Sequence, residues 1–247
     1  MSNDFLVFMA VGFAAQLVDG AIGMAYGVIS SSVLLSVGVA PATVSACVHT
    51  AETFTTGASG LAHWRLRNID RSLVFRLAIP GMIGGAIGAY VLSGVPGDSI
   101  RPFISAYLLL IGLLLLWKAY RASRARRMPE RGVAPLGFAG GLLDAIGGGG
   151  WGAVVTSTLL GNDAPPRYAI GSVNMAEFFV TLTISLTFFA TIGLQLWPII
   201  AGLVIGGVVA APFGAFTTKY LPPRGLLCFA GVVVIILSCR DLLKLLS

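Results

Sequence analysis

The chain has 247 residues, a mean hydropathy of +0.90 and only 11% charged side chains, against roughly 25% in a soluble globular protein. That is too little polar surface to face water alone, so lipid is the natural solvent. The net charge of +6 does not point to nucleic acid. The basic residues are not spread over one face but concentrate in two short stretches: Arg65, Arg67, Arg71 and Arg76, then Lys118, Arg121, Arg124, Arg126, Arg127 and Arg131. Short basic stretches between apolar runs mark the cytoplasmic side of a membrane protein.

In chain order, Met1–Asp4 carries no positive charge in front of the first apolar run, so no cleaved signal peptide is expected. The first element, 5–36, would be ~48 Å long as one helix, beyond the ~30 Å hydrocarbon core. Its middle, Asp19-Gly-Ala-Ile-Gly-Met-Ala-Tyr-Gly27, is glycine-rich and predicts a break. A helix over 41–63 follows Pro41, and a small-residue helix over 72–95 carries Gly81, Gly84, Gly85 and Gly88. Glycines at such spacing let membrane helices approach closely. A Leu-rich helix over 101–120 ends this half, and 121–132 reads as a basic cytoplasmic linker. The second half repeats the order: 133–160, 166–193, 196–219 and 224–243. Trp64, Trp117, Tyr120 and Trp197 fall at segment ends, as in an interfacial aromatic belt. Cys47, Cys228 and Cys239 lie in apolar runs with no close Cys pair and no Cys/His cluster, so neither a disulfide nor a zinc site is expected.

The halves align at a shift of 125 residues in a long ungapped match, and past residue 80 the shift becomes 126, where Gly88-Ala89 meets Gly214-Ala215 and Pro96 meets Pro222. Gly12-Phe13-Ala14 meets Gly137-Phe138-Ala139, Asp19 meets Asp144, Gly23 and Gly27 meet Gly148 and Gly152, Pro41 meets Pro166, and Glu52 meets Glu177. Shared apolar composition would not align Asp, Glu, Pro and Gly together. The expected fold is an all-α polytopic membrane protein of two pseudo-symmetric repeats, 1–120 and 133–247, joined by 121–132. If each broken first element spans, the repeats run parallel. If each re-enters, the repeats are inverted, which is the arrangement we favour because paired broken helices recur in transporters.

Four acids lie inside apolar segments, as two repeat-related pairs: Asp19 with Asp144 and Glu52 with Glu177. An ionisable group at that depth costs at least ~2.5–3.5 kcal/mol on insertion scales and reads as functional by default. The plainer reading is that these acids are hydrogen-bonded struts between helices. His49 shares a helix face with Glu52, and Asn174 occupies its place beside Glu177. That exchange favours hydrogen bonding over metal ligation, and no metal or other cofactor is expected. After each break the helix re-forms, near Ala25 and Gly150, exposing first-turn N–H groups and the positive end of the helix dipole. Two such ends at mid-membrane make an anion site without a basic side chain. Gly23, Met24, Ala25, Tyr26, Gly148, Gly149, Gly150 and Trp151 are its candidate residues, with His49 and Asn174 beside them. Asp19, Glu52, Asp144 and Glu177 are candidates for proton coupling or for shaping the site. Asp19 and Asp144 could also cap the exposed N–H groups.

The stretch Gly137-Phe-Ala-Gly-Gly-Leu-Leu-Asp-Ala-Ile-Gly-Gly-Gly-Gly-Trp-Gly152, with its weaker copy in the first half and the basic central loop, resembles the sulfite exporter TauE/SafE family over essentially the whole chain. The resemblance implies a multi-pass permease of the bacterial inner membrane, often an exporter, for sulfite or small organosulfonates. The expected function is therefore secondary transport of a small sulfur-containing anion. The alternative is a cation or proton channel using the buried acids. An enzyme is not expected, since no nucleophile–base motif is present. Expected partners are the small anion, the lipid bilayer and a second copy in a homodimer, with no nucleic acid.

Overall fold

The computed structural model describes residues 2–120, 132–160, 166–193, 196–217 and 223–246. The expected linker 121–131 and residues 218–219 of the predicted 196–219 helix lie outside the described residues. The first half holds α1 (Ser2–Ile22), α2 (Tyr26–Ser36), α3 (Pro41–Arg65), α4 (Arg71–Gly94) and α5 (Gly97–Tyr120). The second holds α6 (Val133–Gly147), a π-helical turn Gly152–Thr156 leading into α7 (Ser157–Leu160), α8 (Pro166–Thr191), α9 (Trp197–Thr217) and α10 (Pro223–Leu246). No strand occurs among the described residues. Among the described residues, four helices are long and apolar enough to cross a membrane: Arg71–Gly94, Gly97–Tyr120, Tyr168–Thr191 and Arg224–Leu245. This is an all-α polytopic architecture.

Local chemistry sets the helix ends. Pro41 sits in the first turn of α3, where its missing N–H is no loss. Asp70 caps α4 by accepting from Ser72 N (2.9 Å) and Leu73 N (3.2 Å). The long first elements break where predicted. Gly23 (φ 69°) and Ala25 (φ 120°) separate α1 from α2, and Gly148, Gly149 and Gly150, all at positive φ, separate α6 from the π-helical turn. A non-glycine residue at Ala25's φ is strained, so that turn is held by its surroundings.

Small residues set the packing of α1 on α9 and of α4 on α6. A Cβ on Gly12 would lie 2.8 Å from Leu203 Cα, and one on Gly206 would lie 2.8 Å from Phe13 N. A Cβ on Gly137 would lie 3.1 Å from Leu77 Cα, and one on Gly88 would lie 2.8 Å from Leu142 O. Backbones this close leave no room for a side chain. In both pairs residue numbers rise together, so the paired helices run parallel.

These contacts also fix the direction of each hairpin. Arg101 Nη2 donates to Leu35 O (2.6 Å) and Lys244 Nζ to Ser36 O (3.3 Å). The end of α2 therefore lies beside the start of α5 and the end of α10. Ser93 and Thr191 hydroxyls, 2.8 Å apart, tie the ends of α4 and α8 to that same face. The start of α9 lies there too, and so does the start of α1 that runs with it. Thus α1 leaves this face and α2 returns to it. At the opposite face, Asp70 N donates to Ser172 Oγ (2.8 Å), and α5 ends. Lys118 Nζ, near the end of α5, donates to Ala153 O (2.8 Å). So α6 enters from this second face, and the segment 152–160 returns to it. Both broken elements are hairpins rather than tilted interrupted helices, and they enter from opposite faces. The 11 residues of α2 span about 16 Å and the nine of 152–160 about 14 Å at 1.5 Å per residue. Each return arm is therefore about half as long as a ~30 Å hydrocarbon layer is thick.

Between the hairpins lie α3 and α8. Much of α3 is buried protein-side, including Ser45, His49, Glu52, Thr55 and Thr56, which is why a helix this polar can sit at the centre. Arg101 Nε donates to both Asp241 oxygens (3.2 and 3.1 Å), and Ser105 Oγ donates to Asp241 Oδ2 (2.6 Å), pinning α5 to α10. Outward faces are apolar: Phe75, Ile79, Leu110, Phe189 and Ile236 are exposed, as are Trp64, Trp117, Tyr120 and Trp197 at helix ends. Cys47, Cys228 and Cys239 are free thiols.

Candidate functional site

The two glycine breaks meet at the centre of the molecule. A Cβ on Gly27 would lie 2.8 Å from Gly149 Cα, and one on Gly149 would lie 2.6 Å from Gly27 Cα and Val28 N. A Cβ on Gly152 would lie 2.8 Å from Met24 Cα. Backbone therefore packs on backbone, which only residues without side chains permit. Ser31 Oγ donates to Gly148 O, and Tyr107 Oη donates to Gly149 O (3.2 Å), fixing the second break from two sides.

Each break is capped by its own aspartate, seven residues back. Asp19 Oδ1 accepts from Tyr26 N (3.2 Å), and Asp144 Oδ1 accepts from Trp151 N (2.8 Å). A carboxylate that joins the end of one half-helix to the start of the next stabilises both the orphan N–H and the positive dipole end.

A small cavity of about 10 Å³ lies at the junction, lined by Asp19, Ala25, Tyr26, Gly27, Val28, Glu52, Gly150, Gly152, Ala153 and Glu177. That volume admits about one water, so the arrangement is closed around its centre. The N–H groups of Val28, Gly152 and Ala153 belong to first helical turns, which leave such groups without intrahelical acceptors. Gly27 packs against the Glu52 carboxyl, since a Cβ added there would lie 2.7 Å from Glu52 Oε1. The other Glu52 oxygen, Oε2, is buried without a hydrogen-bond partner. Among the described residues, three carboxyl groups and no Lys or Arg line the cavity.

Of the predicted site residues, Asp19, Ala25, Tyr26, Glu52, Gly150 and Glu177 line this cavity. Gly149 lies between the breaks instead, and Gly148 packs on Ser31 and Val44. Gly23 faces Ile170 and Thr156, while Met24 packs under Gly152. Tyr26 Oη reaches Leu203 O (3.0 Å) on α9. Trp151, a candidate site residue that matches Tyr26 across the repeat, turns away: its ring packs against Gly81 and Gly140, between α4 and α6. Asn174 Nδ2 donates to Ser59 Oγ (2.8 Å), bracing α8 on α3. Thr56 and Thr181 hydroxyls return to the Glu52 and Glu177 carbonyls (2.6 and 2.9 Å) of their own helices. Gly27, Val28, Gly152 and Ala153 also line the cavity and are not among the residues predicted from sequence; the Gly27–Gly152 repeat match was the available signal for this position.

His49 lies against the Asp144 cap. Its Nε2 is 3.1 Å from Asp144 Oδ2, and its Nδ1 is 2.7 Å from Ser45 O. A carbonyl accepts only, so Nδ1 carries a proton. One further proton must then lie between Nε2 and Oδ2, whichever atom holds it. Single ligand atoms of His49, Glu52 and Asp144 lie within 4.8 Å of one another, a donor set that suits a proton or a cation.

The comparisons with known proteins bear on what this centre serves. The family model for sulfite exporter TauE/SafE matches residues 8–240. The chain belongs to the TauE/SafE family. It is also 38% identical over 251 residues to the "Probable membrane transporter protein YtnM" of Bacillus subtilis (strain 168), a match covering 98% of this chain and 84% of that protein. No solved structure matches. As a TauE/SafE member with several apolar helices, the chain is a multi-pass membrane transporter.

Proposed function

We propose that this transporter moves a small sulfur-containing anion, sulfite or an organosulfonate, out of the cell across the bacterial inner membrane. The observation that carries the reading is the central apposition of the two breaks, where first-turn residues of both half-helices line one cavity. Helix N-termini bind oxyanions without a basic side chain. The family's name supplies the substrate class. The cavity is too small for such an anion as it stands, so binding requires the hairpins to part. Alternating access then consists of one hairpin moving against the other, each opening toward its own face, as inverted repeats allow. The carboxyls of Asp19, Glu52 and Glu177 would repel an anion if all were charged, so the anion travels with protons on the glutamates. The faces follow the arginines: 65–71 and 121–131 are cytoplasmic and both termini periplasmic.

Flux in proteoliposomes tests this. Sulfite flux should rise with acid on the sulfite-loaded side. The Glu52→Gln, Glu177→Gln double variant should still bind sulfite but lose that pH dependence. Unchanged pH dependence in the double variant would leave the glutamates as struts.

The convergence of His49, Glu52 and Asp144 favours one second reading, a cation or proton channel. Sodium or proton flux without any anion, in the same liposomes, would support it against the first.

A further inference from the structure

A second built feature lies away from the centre, where α3 ends and α4 begins. A groove of about 440 Å³ opens on the outer surface, lined by Trp64, Ile69, Arg71 and apolar residues of α4 and α8 that include Phe75, Ile79 and Phe179. That is the size of a small-molecule pocket, yet its walls are almost wholly apolar. It runs into a second hollow of about 490 Å³ lined by Trp64, Arg65, Arg67, Ile69 and Arg71. The two share Trp64, Ile69 and Arg71, so they form one slot with an apolar stem and a basic head.

The backbone of the turn that carries the basic head is held in place, while the side chains of Arg65, Arg67 and Arg71 are exposed. Arg67 sits at positive φ (55°), in a turn closed by Arg67 N to Trp64 O (3.1 Å) and Asn68 N to His63 O (2.9 Å). Asp70 N bonds Ser172 Oγ on α8 (2.8 Å), and a Cβ on Gly171 would meet Asn68 O, so the turn lies flush on α8. Asp70, the acid of this turn, is engaged in capping α4 and lines neither hollow. Three arginines thus face one small space. The repeat-related turn does not require them: at the matching shift of 125, Ala190, Ile192 and Leu196 stand in place of Arg65, Arg67 and Arg71. The charge belongs to this face and not to the fold.

We propose that this slot holds one anionic phospholipid, with its phosphate among Arg65, Arg67 and Arg71 and an acyl chain along Phe75, Ile79 and Phe179. The stem lies at membrane depth, where an apolar groove is filled by hydrocarbon. Trp64, exposed at the junction, marks headgroup level. Guanidinium groups bind phosphate oxygens in forked pairs, and basic pockets at the cytoplasmic ends of membrane helices select anionic headgroups. The site is independent of the central cavity, so its failure would leave the transport reading untouched.

Native mass spectrometry of the purified full-length protein tests it, with phosphatidylglycerol and phosphatidylcholine of the same chains titrated into the detergent. One phosphatidylglycerol should be retained at concentrations where phosphatidylcholine is lost. The Arg65→Ala, Arg67→Ala, Arg71→Ala variant should weaken that retention on the order of 100-fold. Ile79→Trp keeps every charge at an exposed position and fills the stem, so it should weaken retention at least about tenfold. Equal retention of the two lipids by the unaltered protein would overturn the proposal even if the triple variant failed to fold. So would full retention in Ile79→Trp, or displacement of the lipid by millimolar inorganic phosphate, which would mark a free-anion site.

Discussion

The two breaks perform the same backbone task with different residues. The first uses Gly23 and a strained Ala25, and the second uses three consecutive glycines at positive φ. Both place an aspartate cap seven residues before the N–H it holds. The caps differ in their second oxygen. Asp144 is buried against His49, whereas Asp19 lines the cavity. Where His49 stands in one half, Asn174 stands in the other and braces a different helix. The duplication thus preserves the geometry of the hairpins, while the histidine–aspartate contact occurs in one of the two repeats only.

The largest effect should come from closing off the shared contact. Gly149→Ala places a Cβ on the Gly27 backbone and also strains a left-handed residue. Overpacking costs ~1–3 kcal/mol, and the φ penalty adds about 1 kcal/mol. Sulfite flux should be lost, and the thermal midpoint in detergent should fall sharply. Gly38→Ala isolates the second contribution, since Gly38 has φ 95° and a Cβ added there would meet nothing within 4 Å; it should cost only about 1 kcal/mol. Equal losses in the two variants would mean that the breaks do not depend on each other.

The next comparison is between the caps. Asp144→Ala removes a cap and strands His49, so about 2–4 kcal/mol should be lost. Asp19→Ala removes a cap alone and should cost about 1 kcal/mol. Equal shifts in thermal midpoint would erase the distinction drawn between the halves. His49→Asn makes the first half resemble the second. It leaves Asp144 Oδ2 without its partner at a cost of about 1–3 kcal/mol, and it should alter the pH dependence of flux. The smallest effect is a gain. Ala25→Gly relieves the positive φ and should stabilise by about 1 kcal/mol, read as a higher thermal midpoint with flux retained.

The residues that were easy to place had a strict chemical reason to be where they are. The breaks were legible because consecutive glycines such as Gly147–Gly150 are very poor helix formers and because 5–36 is too long to be one membrane helix. The aspartate caps were legible because Asp precedes each break at the same spacing. Trp151 was misplaced because repeat matching with Tyr26 fixes where a backbone sits, not which way a side chain turns. Its ring is drawn between α4 and α6 by the gap that Gly81 and Gly140 leave.

By itself, the sequence determined the solvent, the helices, the internal match of the halves and the acids that enter the apolar layer. Each follows from composition, from periodicity or from the backbone limits of glycine and proline, all of which are local. Only the tertiary structure decided that the broken elements turn back, that Gly27 meets Gly149, that Asp144 faces His49, and that Arg65, Arg67 and Arg71 crown an apolar groove. Those facts depend on which helices pack together across separations of about a hundred residues. Many apolar helices of similar composition would satisfy the same hydropathy, and it is the close backbone contacts at small residues that choose among them.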